Sequence, residues 1–183
     1  MDTASLAAYL LAPMVAWVNP ADHDSFATRT ETLAHYTAIA NDVAEVTAEE
    51  EPVFDGDLAR ERTALLLVSI ASIESSFNAA TDEGRSVRKG DNDSGRAVGL
   101  WQTHWRWNPY HWSREDIAAD RKKAIKLALL RVRQSFAACR GFKDEDKLTV
   151  YATGQACRPT KVSEYRVNRA LDWYKEHPFF STP

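Results

Sequence analysis

The sequence predicts a mainly α-helical single domain with one small loop or β-hairpin lobe. Apolar residues recur at helical spacing through most of the chain. One polar stretch with regularly spaced glycines, residues 78–99, separates a nearly all-apolar helix from a tryptophan-rich cluster. A length of 183 residues suits one domain better than two. We expect residues 1–30 to form an N-terminal extension packed on a domain of residues 31–183.

Composition narrows the classes of function. Hydrophobic residues make up 44% and charged residues 27%, as in ordinary globular proteins. A formal net charge of -3 gives no general attraction to nucleic acid or to an anionic membrane, so neither is an expected partner. One basic stretch is interpreted as a solvated helix face in preference to a nucleic-acid surface. Its members are Arg121, Lys122, Lys123, Lys126, Arg131 and Arg133.

The N-terminal apolar stretch, residues 6–18, is predicted to be a buried segment. Asp2 precedes it where an export signal carries positive charge, and Pro13 interrupts it. No apolar run is long enough to span a bilayer. We therefore expect neither a convincing signal peptide nor a membrane span.

Four further helices follow from caps and apolar periodicity. Asp57 is the expected N-cap of a buried helix over residues 58–77. Ser113 and Asp116 resemble a capping box that opens one long amphipathic helix ending near Gly141. Residues 148–156 are expected to form a short helix, and Thr160 is the expected cap of the last one.

Glu74 is the first candidate catalytic residue because it lies near the end of the buried helix. Burial disfavours a charged carboxylate, so such a group tends to stay protonated, as a general acid for glycosidic bond cleavage must. The alternative is a solvated glutamate at the point where the helix emerges.

Residues 74–78, 99–102 and 150–154 form three short motifs in this order along the chain, and together they resemble those of the soluble lytic transglycosylase and goose-type lysozyme superfamily. Residues 74–78, Glu-Ser-Ser-Phe-Asn, resemble its Glu-Ser-x-Phe motif. Residues 99–102, Gly-Leu-Trp-Gln, resemble Gly-Leu-Met-Gln with Trp101 in place of Met. Residues 150–154, Val-Tyr-Ala-Thr-Gly, resemble Ala-Tyr-Asn-x-Gly and lack its Asn. The resemblance covers about residues 33–176 and implies a lysozyme-like catalytic domain of the phage type.

The resemblance implies roles for particular side chains. Glu74 would protonate the leaving glycosidic oxygen, Gln102 would line the cleft, and Tyr151 would hold the acid or the sugar. Ser75 and Trp101 are further substrate-binding candidates. Trp101, Trp105, Trp107 and Trp112 could stack on sugar rings, with core packing as the alternative for most of them.

The reaction type depends on a second carboxylate. A lytic transglycosylase needs only one, because the substrate's own C6 hydroxyl closes a 1,6-anhydro ring. An inverting lysozyme needs a base about 6.5–9.5 Å from the acid. Asp91 and Asp93 are the possible second carboxylates, although turn formation is the more ordinary role for such loop residues. His104 stands where the goose-type pattern has a further aspartate, which favours the transglycosylase.

The remaining expectations concern metals, cysteines and partners. The histidines form no zinc-binding pattern, so no metal or cofactor is expected. Cys139 and Cys157 are a possible disulfide, with two buried thiols as the alternative. The expected partners are peptidoglycan glycan strands, together with virion or secretion-apparatus proteins if the chain is carried by one. The expected site of action is the bacterial cell wall or periplasm, reached in a virion or by a specialised route. A non-catalytic structural component remains an alternative.

Overall fold

The chain forms a mainly helical domain with one two-stranded antiparallel sheet, which confirms the predicted fold class. The structure is a computed structural model that describes residues 1–22, 28–85, 96–154, 157–158 and 160–179. Its elements are α1 (Thr3–Trp17), α2 (Arg29–Glu49), α3 (Ala59–Glu74), α4 (Ala79–Asp82), β1 (Ala97–Val98), β2 (Thr103–His104), α5 (Arg114–Ala119), α6 (Arg121–Ala138), α7 (Asp144–Lys147), α8 (Thr149–Thr153) and α9 (Lys161–Glu176). Short 3-10 helices lie at Pro20–Asp22 and Trp105–Trp107.

Helix α1 is part of the domain core. Leu6, Leu10 and Met14 are buried, and the helix packs against α2 and α3. Pro13 lies inside α1 without ending it. The predicted burial of this segment is confirmed. Within the described part of the chain, no helix has both the length and the apolar character needed to cross a bilayer.

Helix α3 is the central helix, and its ends differ from those predicted. Leu58, with a left-handed φ of 59°, occupies the N-cap position and makes no side-chain cap, so the assignment of Asp57 as the cap was wrong. The helix ends at Glu74, three residues before the predicted end at residue 77. Ser76 and Phe77 adopt φ values of 50° and 55°, which a right-handed helix cannot accommodate.

The polar stretch contains more structure than a loop. Asn78 caps the short helix α4 by accepting a hydrogen bond from the Thr81 amide. After the undescribed residues 86–95, β1 pairs with β2, and Val98 lies opposite Thr103. The hairpin was one of the two predicted forms of this lobe, whereas α4 was not predicted.

The predicted long amphipathic helix is two helices, which corrects the single helix expected from the sequence. Ser113 and Asp116 form the expected capping box, but it opens only α5. Asp120 has extended backbone angles and accepts hydrogen bonds from the amides of Lys122 and Lys123, so it starts α6. A side chain that caps a new helix in this way ends the preceding one.

Acidic residues of α2 neutralise much of the basic stretch on α6. Arg121 pairs with Asp42 at 2.6 Å, Lys122 pairs with Glu45 at 2.5 Å, and Lys126 pairs with Glu49 at 3.4 Å. This face is therefore an α2–α6 contact with a charged rim, and it offers little free positive charge to nucleic acid.

Two features fix the C-terminal third of the chain. Thr160 forms the predicted cap of α9, which packs along α3. A disulfide joins Cys139, after α6, to Cys157, with their Cα atoms 5.5 Å apart. The structure thus forms the pair considered from the sequence, and α8 lies within the segment that the bridge closes.

Candidate active site

Glu74 is the last residue of α3 and lines a cavity of about 610 Å³. Its side chain is 21% exposed, so the carboxylate is held by the protein and still reaches the cavity. The cavity walls come from the end of α3, the hairpin, α6 and α8. The lining residues described by the structure are Glu74, Gln102, Thr103, His104, Arg131, Gln134, Val150, Tyr151, Ala152, Thr153 and Gly154.

Arg166 of α9 pairs with Glu74. Its Nε and Nη2 donate to the same carboxylate oxygen, Oε1, at 3.1 and 2.5 Å. The Arg166 side chain is only 7% exposed. A buried guanidinium is costly without an anion, so this pair fixes the carboxylate at the cavity edge. Both bonds end on Oε1, so Arg166 makes no hydrogen bond with the second carboxylate oxygen, Oε2.

Two further hydrogen bonds hold Arg166 of α9 in place beside α3. Nη1 of Arg166 donates to the carbonyl of Val162 at 2.9 Å, one turn earlier in the helix. The Ser69 hydroxyl of α3 donates to the carbonyl of Arg166 at 2.6 Å. These contacts join the two helices just below Glu74, so the acid and its cation are held by rigid elements.

The Gly-Leu-Trp-Gln motif forms the turn of the hairpin. Gly99 has a φ of 69°, and a Cβ there would lie 3.2 Å from the Cβ of Ala124, so the position favours glycine. Gln102 is also left-handed, with a φ of 48°, and its side chain donates back to the Gly99 carbonyl at 2.9 Å. The tight turn thereby brings Gln102 to the cavity.

From inside the core, Trp101 connects its own motif to helix α3 and to the motif that contains Tyr151. Its side chain is fully buried, and the indole N–H donates to the Leu67 carbonyl of α3 at 2.9 Å. Its own carbonyl accepts a hydrogen bond from the Tyr151 hydroxyl at 2.5 Å. A ring without exposed area cannot stack on a sugar, so the structure assigns Trp101 to support of the cavity wall and not to substrate contact.

Tyr151 lies on α8 and lines the cavity beside Glu74. Burial, followed by the nearby negative charge of Glu74, raises the pKa of Tyr151 well above its usual value, while Arg166 opposes this shift. The neutral phenol therefore persists and can donate a hydrogen bond. The Ser135 hydroxyl of α6 accepts from the Tyr151 amide at 3.0 Å and fixes the start of α8.

Of the other predicted site residues, Ser75, Trp105 and Trp112 are not among the described residues that line this cavity. Ser75 is buried, and its hydroxyl donates to the Ala71 carbonyl at 2.9 Å, so it completes the end of α3. Asp91 and Asp93, the possible second carboxylates, lie outside the described residues. Trp105 and Trp112 are partly buried and pack against the core, as the alternative reading of the aromatic cluster expected.

Outside the three motifs, the sequence reasoning assigned no binding or catalytic role to Arg166, Arg131, Gln134, Thr103 or His104, which the structure brings to this site. Arg166 belongs to no motif, and only the fold brings it to Glu74. Arg131 was interpreted as one member of a solvated basic face, yet it lines the cavity. Thr103 and His104 directly follow the Gly-Leu-Trp-Gln motif, and that adjacency was the one available signal for them.

The cavity combines one carboxyl group with a neutral phenol, an amide, an imidazole and a guanidinium, a set that can transfer a proton to a polar molecule and hydrogen-bond it. Among the described residues, no group of His, Cys, Asp or Glu side chains is placed to hold a metal ion. Comparison of the chain with protein-family models, curated proteins and solved structures finds no match. The chemistry of the cavity must therefore be argued from its own residues.

Proposed function

We propose that this protein cleaves the β-1,4 bond between N-acetylmuramic acid and N-acetylglucosamine in peptidoglycan, as a lytic transglycosylase with Glu74 as its acid. One observation carries the proposal. Glu74, Gln102 and Tyr151 come from three motifs that are well separated in the chain, and all three line one cavity. This convergence supports the family resemblance in a way that short motifs alone cannot.

The proposed reaction uses the one carboxyl group twice. Protonated Glu74 donates its proton to the glycosidic oxygen as the bond from that oxygen to C1 breaks. The Glu74 carboxylate then takes the proton of the C6 hydroxyl while that oxygen bonds to C1. The products are a 1,6-anhydro end and a free sugar hydroxyl, Glu74 is protonated again, and no water is consumed.

The surrounding residues would act by position and charge. Arg166 holds Oε1 of Glu74, which leaves Oε2 for the proton in transfer. Arg166 would also stabilise the carboxylate after the first step, when the sugar carries developing positive charge. Tyr151 stays neutral and would hold the hairpin turn in place through its hydrogen bond to the Trp101 carbonyl. Gln102 would hydrogen-bond the sugar from the hairpin turn.

A hydrolase is the closest alternative, with Asp91 or Asp93 as the base that activates water. These residues lie outside the described part of the chain, so the alternative rests on the sequence. The cavity residues that the structure describes include no carboxylate besides Glu74, which accords with the single-acid reaction.

A non-catalytic structural role is the second candidate, and the Glu74–Arg166 pair favours it. An ion pair between a carboxylate and a buried guanidinium can also serve structure alone, without any catalytic role. In either role the protein would meet the cell wall from a virion or by a specialised delivery route, in contact with other proteins of that machine.

Release of soluble fragments from purified peptidoglycan tests the proposal. Wild-type protein is expected to release them, and Glu74→Gln is expected to abolish release because the amide keeps the shape but carries no transferable proton. Asp172→Asn is a matched control that removes an exposed carboxylate on α9. A Glu74→Gln variant with near wild-type release would exclude Glu74 as the acid, and an inactive wild-type protein would favour the structural role.

A further inference from the structure

A closed surface loop begins directly after one wall of the cavity. His104 of β2 lines the cavity, and residues 105–112 connect it to Ser113, the capping residue of α5. Nδ2 of Asn108 donates to the carbonyls of Trp105 and Trp112 at 2.6 and 2.9 Å, and its Oδ1 accepts a hydrogen bond from the Trp112 amide at 3.1 Å. One side chain thereby joins the two ends of the segment, as in other compact surface loops. We name residues 105–112 the Asn108 loop.

Tyr110 presents an aromatic ring on the outside of the Asn108 loop. The ring stacks on that of Trp112, with the centroids 4.2 Å apart and the planes inclined by 18°. Trp112 is partly buried and packs against the core, so it supports Tyr110 from below. Tyr110 nevertheless remains 38% exposed. A ring that is both fixed and exposed offers a flat apolar surface at little entropic cost, and such a surface suits the C–H face of a sugar ring.

Arg106 adds a positive charge to the Asn108 loop. The residue is exposed, and its guanidinium lies 5.4 Å from the centroid of the Trp105 ring. In the part of the chain that the structure describes, no carboxylate forms an ion pair with Arg106. Arg96 is also exposed at this end of the hairpin, where its carbonyl accepts a hydrogen bond from the Trp105 amide at 3.3 Å. An apolar ring and accessible positive charge therefore lie together beside the cavity.

We propose that the Asn108 loop is a second glycan-binding site, in which Tyr110 stacks on a sugar ring and Arg106 binds a carboxylate of a muramic residue or of its stem peptide. The inference rests on the proposed function and names a part of the strand that lies outside the cavity. A strand that carries both sugar rings and carboxylates matches the two side chains of the loop. Nucleic acid also combines flat rings with negative charge, but the formal net charge of -3 opposes binding of so densely charged a polymer.

Binding to three preparations of glycan strands tests this second site. The first carries stem peptides, the second is freed of them by an amidase and exposes the lactyl carboxylates, and the third has those carboxylates converted to methylamides. Dissociation constants are measured with Glu74→Gln, so that no strand is cleaved. We expect at least one of the carboxylate-bearing preparations to bind about 3- to 5-fold more tightly than the methylamide strands, as one exposed charge pair provides.

Variants of Tyr110 in the Glu74→Gln background test the stacking contact. Tyr110→Ala is expected to weaken binding of all three preparations by about 3- to 10-fold, because every preparation presents sugar rings. Tyr110→Phe keeps the ring and is expected to bind as the parent protein does. Tyr165→Ala is the matched control, because Tyr165 is 57% exposed on α9 and belongs neither to the loop nor to the cavity lining.

Arg106→Gln in the same background tests the charged contact. It is expected to weaken binding of carboxylate-bearing strands by about 3- to 5-fold and to leave the methylamide strands unaffected. A high salt concentration should screen this effect and spare that of Tyr110→Ala, because stacking carries no charge. Arg60→Gln is the matched control, because Arg60 is exposed in the first turn of α3, at the opposite end of that helix from Glu74.

The outcomes separate the possible ligands. An Arg106→Gln loss confined to peptide-bearing strands identifies the stem-peptide carboxylate, and a loss confined to the amidase-treated strands identifies the lactyl group. Parent-like binding by Tyr110→Ala, or an Arg106→Gln effect that is equal on all three preparations, would overturn the site. Tighter binding of a single-stranded oligodeoxythymidine through the same two residues would also overturn it, in favour of nucleic acid. Cleavage by wild-type protein is scored separately, so an inactive protein whose strand binding depends on the Asn108 loop would refute only the proposed catalysis.

Discussion

Arg166 donates two hydrogen bonds to a single oxygen of Glu74 and thereby joins the end of α3 to the middle of α9. The guanidinium is 7% exposed and the carboxylate 21%, so both charges are largely removed from water. The pair has two consequences: it contributes to stability, and, in the proposed reaction, it leaves Oε2 as the oxygen that transfers the proton.

The stability consequence can be measured by a double-mutant cycle. Glu74→Gln leaves the buried Arg166 without its anion, and we expect the free energy of unfolding to fall by about 2 kcal/mol. The double variant Glu74→Gln/Arg166→Leu should lose less than the sum of the single losses, by about 1–3 kcal/mol. Denaturant titration of the four proteins gives these values, and strictly additive losses would show that the pair is not energetically coupled.

Tyr151→Phe tests the connection between α8 and the hairpin. Removing the hydroxyl leaves the Trp101 carbonyl without its donor, and we expect kcat/KM on peptidoglycan to fall by about 10-fold with a stability loss of about 1 kcal/mol. Tyr165→Phe is the control, because Tyr165 is 57% exposed and does not line the cavity. An unchanged kcat/KM in Tyr151→Phe would show that the Tyr151 hydroxyl does not contribute to the proposed reaction.

The raised pKa of Tyr151 predicts how the free energy of unfolding depends on pH. Burial raises the pKa of Tyr151 above its usual value of 10.0, so the folded protein keeps the phenol neutral. The contribution of the neutral Tyr151 phenol to the free energy of unfolding is fully present below pH 10. It is lost as the pH rises from there towards the pKa of the folded state. Wild-type unfolding free energy should therefore fall above pH 10 more steeply than that of Tyr151→Phe. Parallel curves for the two proteins would contradict the predicted shift.

Asp91→Asn and Asp93→Asn distinguish the transglycosylase from the hydrolase. Each single variant is expected to reduce fragment release far less than Glu74→Gln, because in a transglycosylase the substrate supplies its own nucleophile. Release assays on the same peptidoglycan preparation measure this. A loss in either variant as deep as that of Glu74→Gln would identify a catalytic base.

The disulfide is expected to support both stability and activity. It closes a segment with a sequence separation of 18, for which the chain-entropy argument gives about 3 kcal/mol. Gly154, which lines the cavity, lies three residues before Cys157, so reduction should lower activity as well. Thiol titration of unfolded, non-reduced protein from an oxidising preparation should find no free thiol. Two free thiols would contradict the pairing.

The sequence was informative where local chemistry decides structure. The capping residues Ser113 and Thr160, the burial of α1 and the polar lobe all follow from short-range patterns. It was less informative where a backbone changes direction. Glu74 ends α3 because the following residues are left-handed, and Asp120 splits a continuous apolar stripe into two helices. In both places the apolar residues keep their helical spacing, so the spacing does not show where the helix ends.

The site residues also divide into those that local motifs predict and those that only the packing of the fold reveals. Its three motifs gave Glu74, Gln102 and Tyr151, which the fold brings to one cavity. Arg166 and Arg131 could not be found in this way, because each lies in a helix whose charged positions look alike in the sequence and only packing decides which one faces the acid or the cavity. Trp101 resembled a sugar-binding ring and is instead a core residue that connects the hairpin to α3 and α8.

Mass spectrometry of the fragments released from purified peptidoglycan distinguishes a reaction in which Glu74 acts alone from hydrolysis. If Glu74 acts alone, the new muramic ends are 1,6-anhydro rings, each lighter by one water than a reducing end, and Glu74→Gln releases none. Reducing ends throughout would identify a hydrolase with a second catalytic group. If wild-type protein, with its disulfide intact, released no fragments, the claim that this cavity cleaves glycan strands would be contradicted.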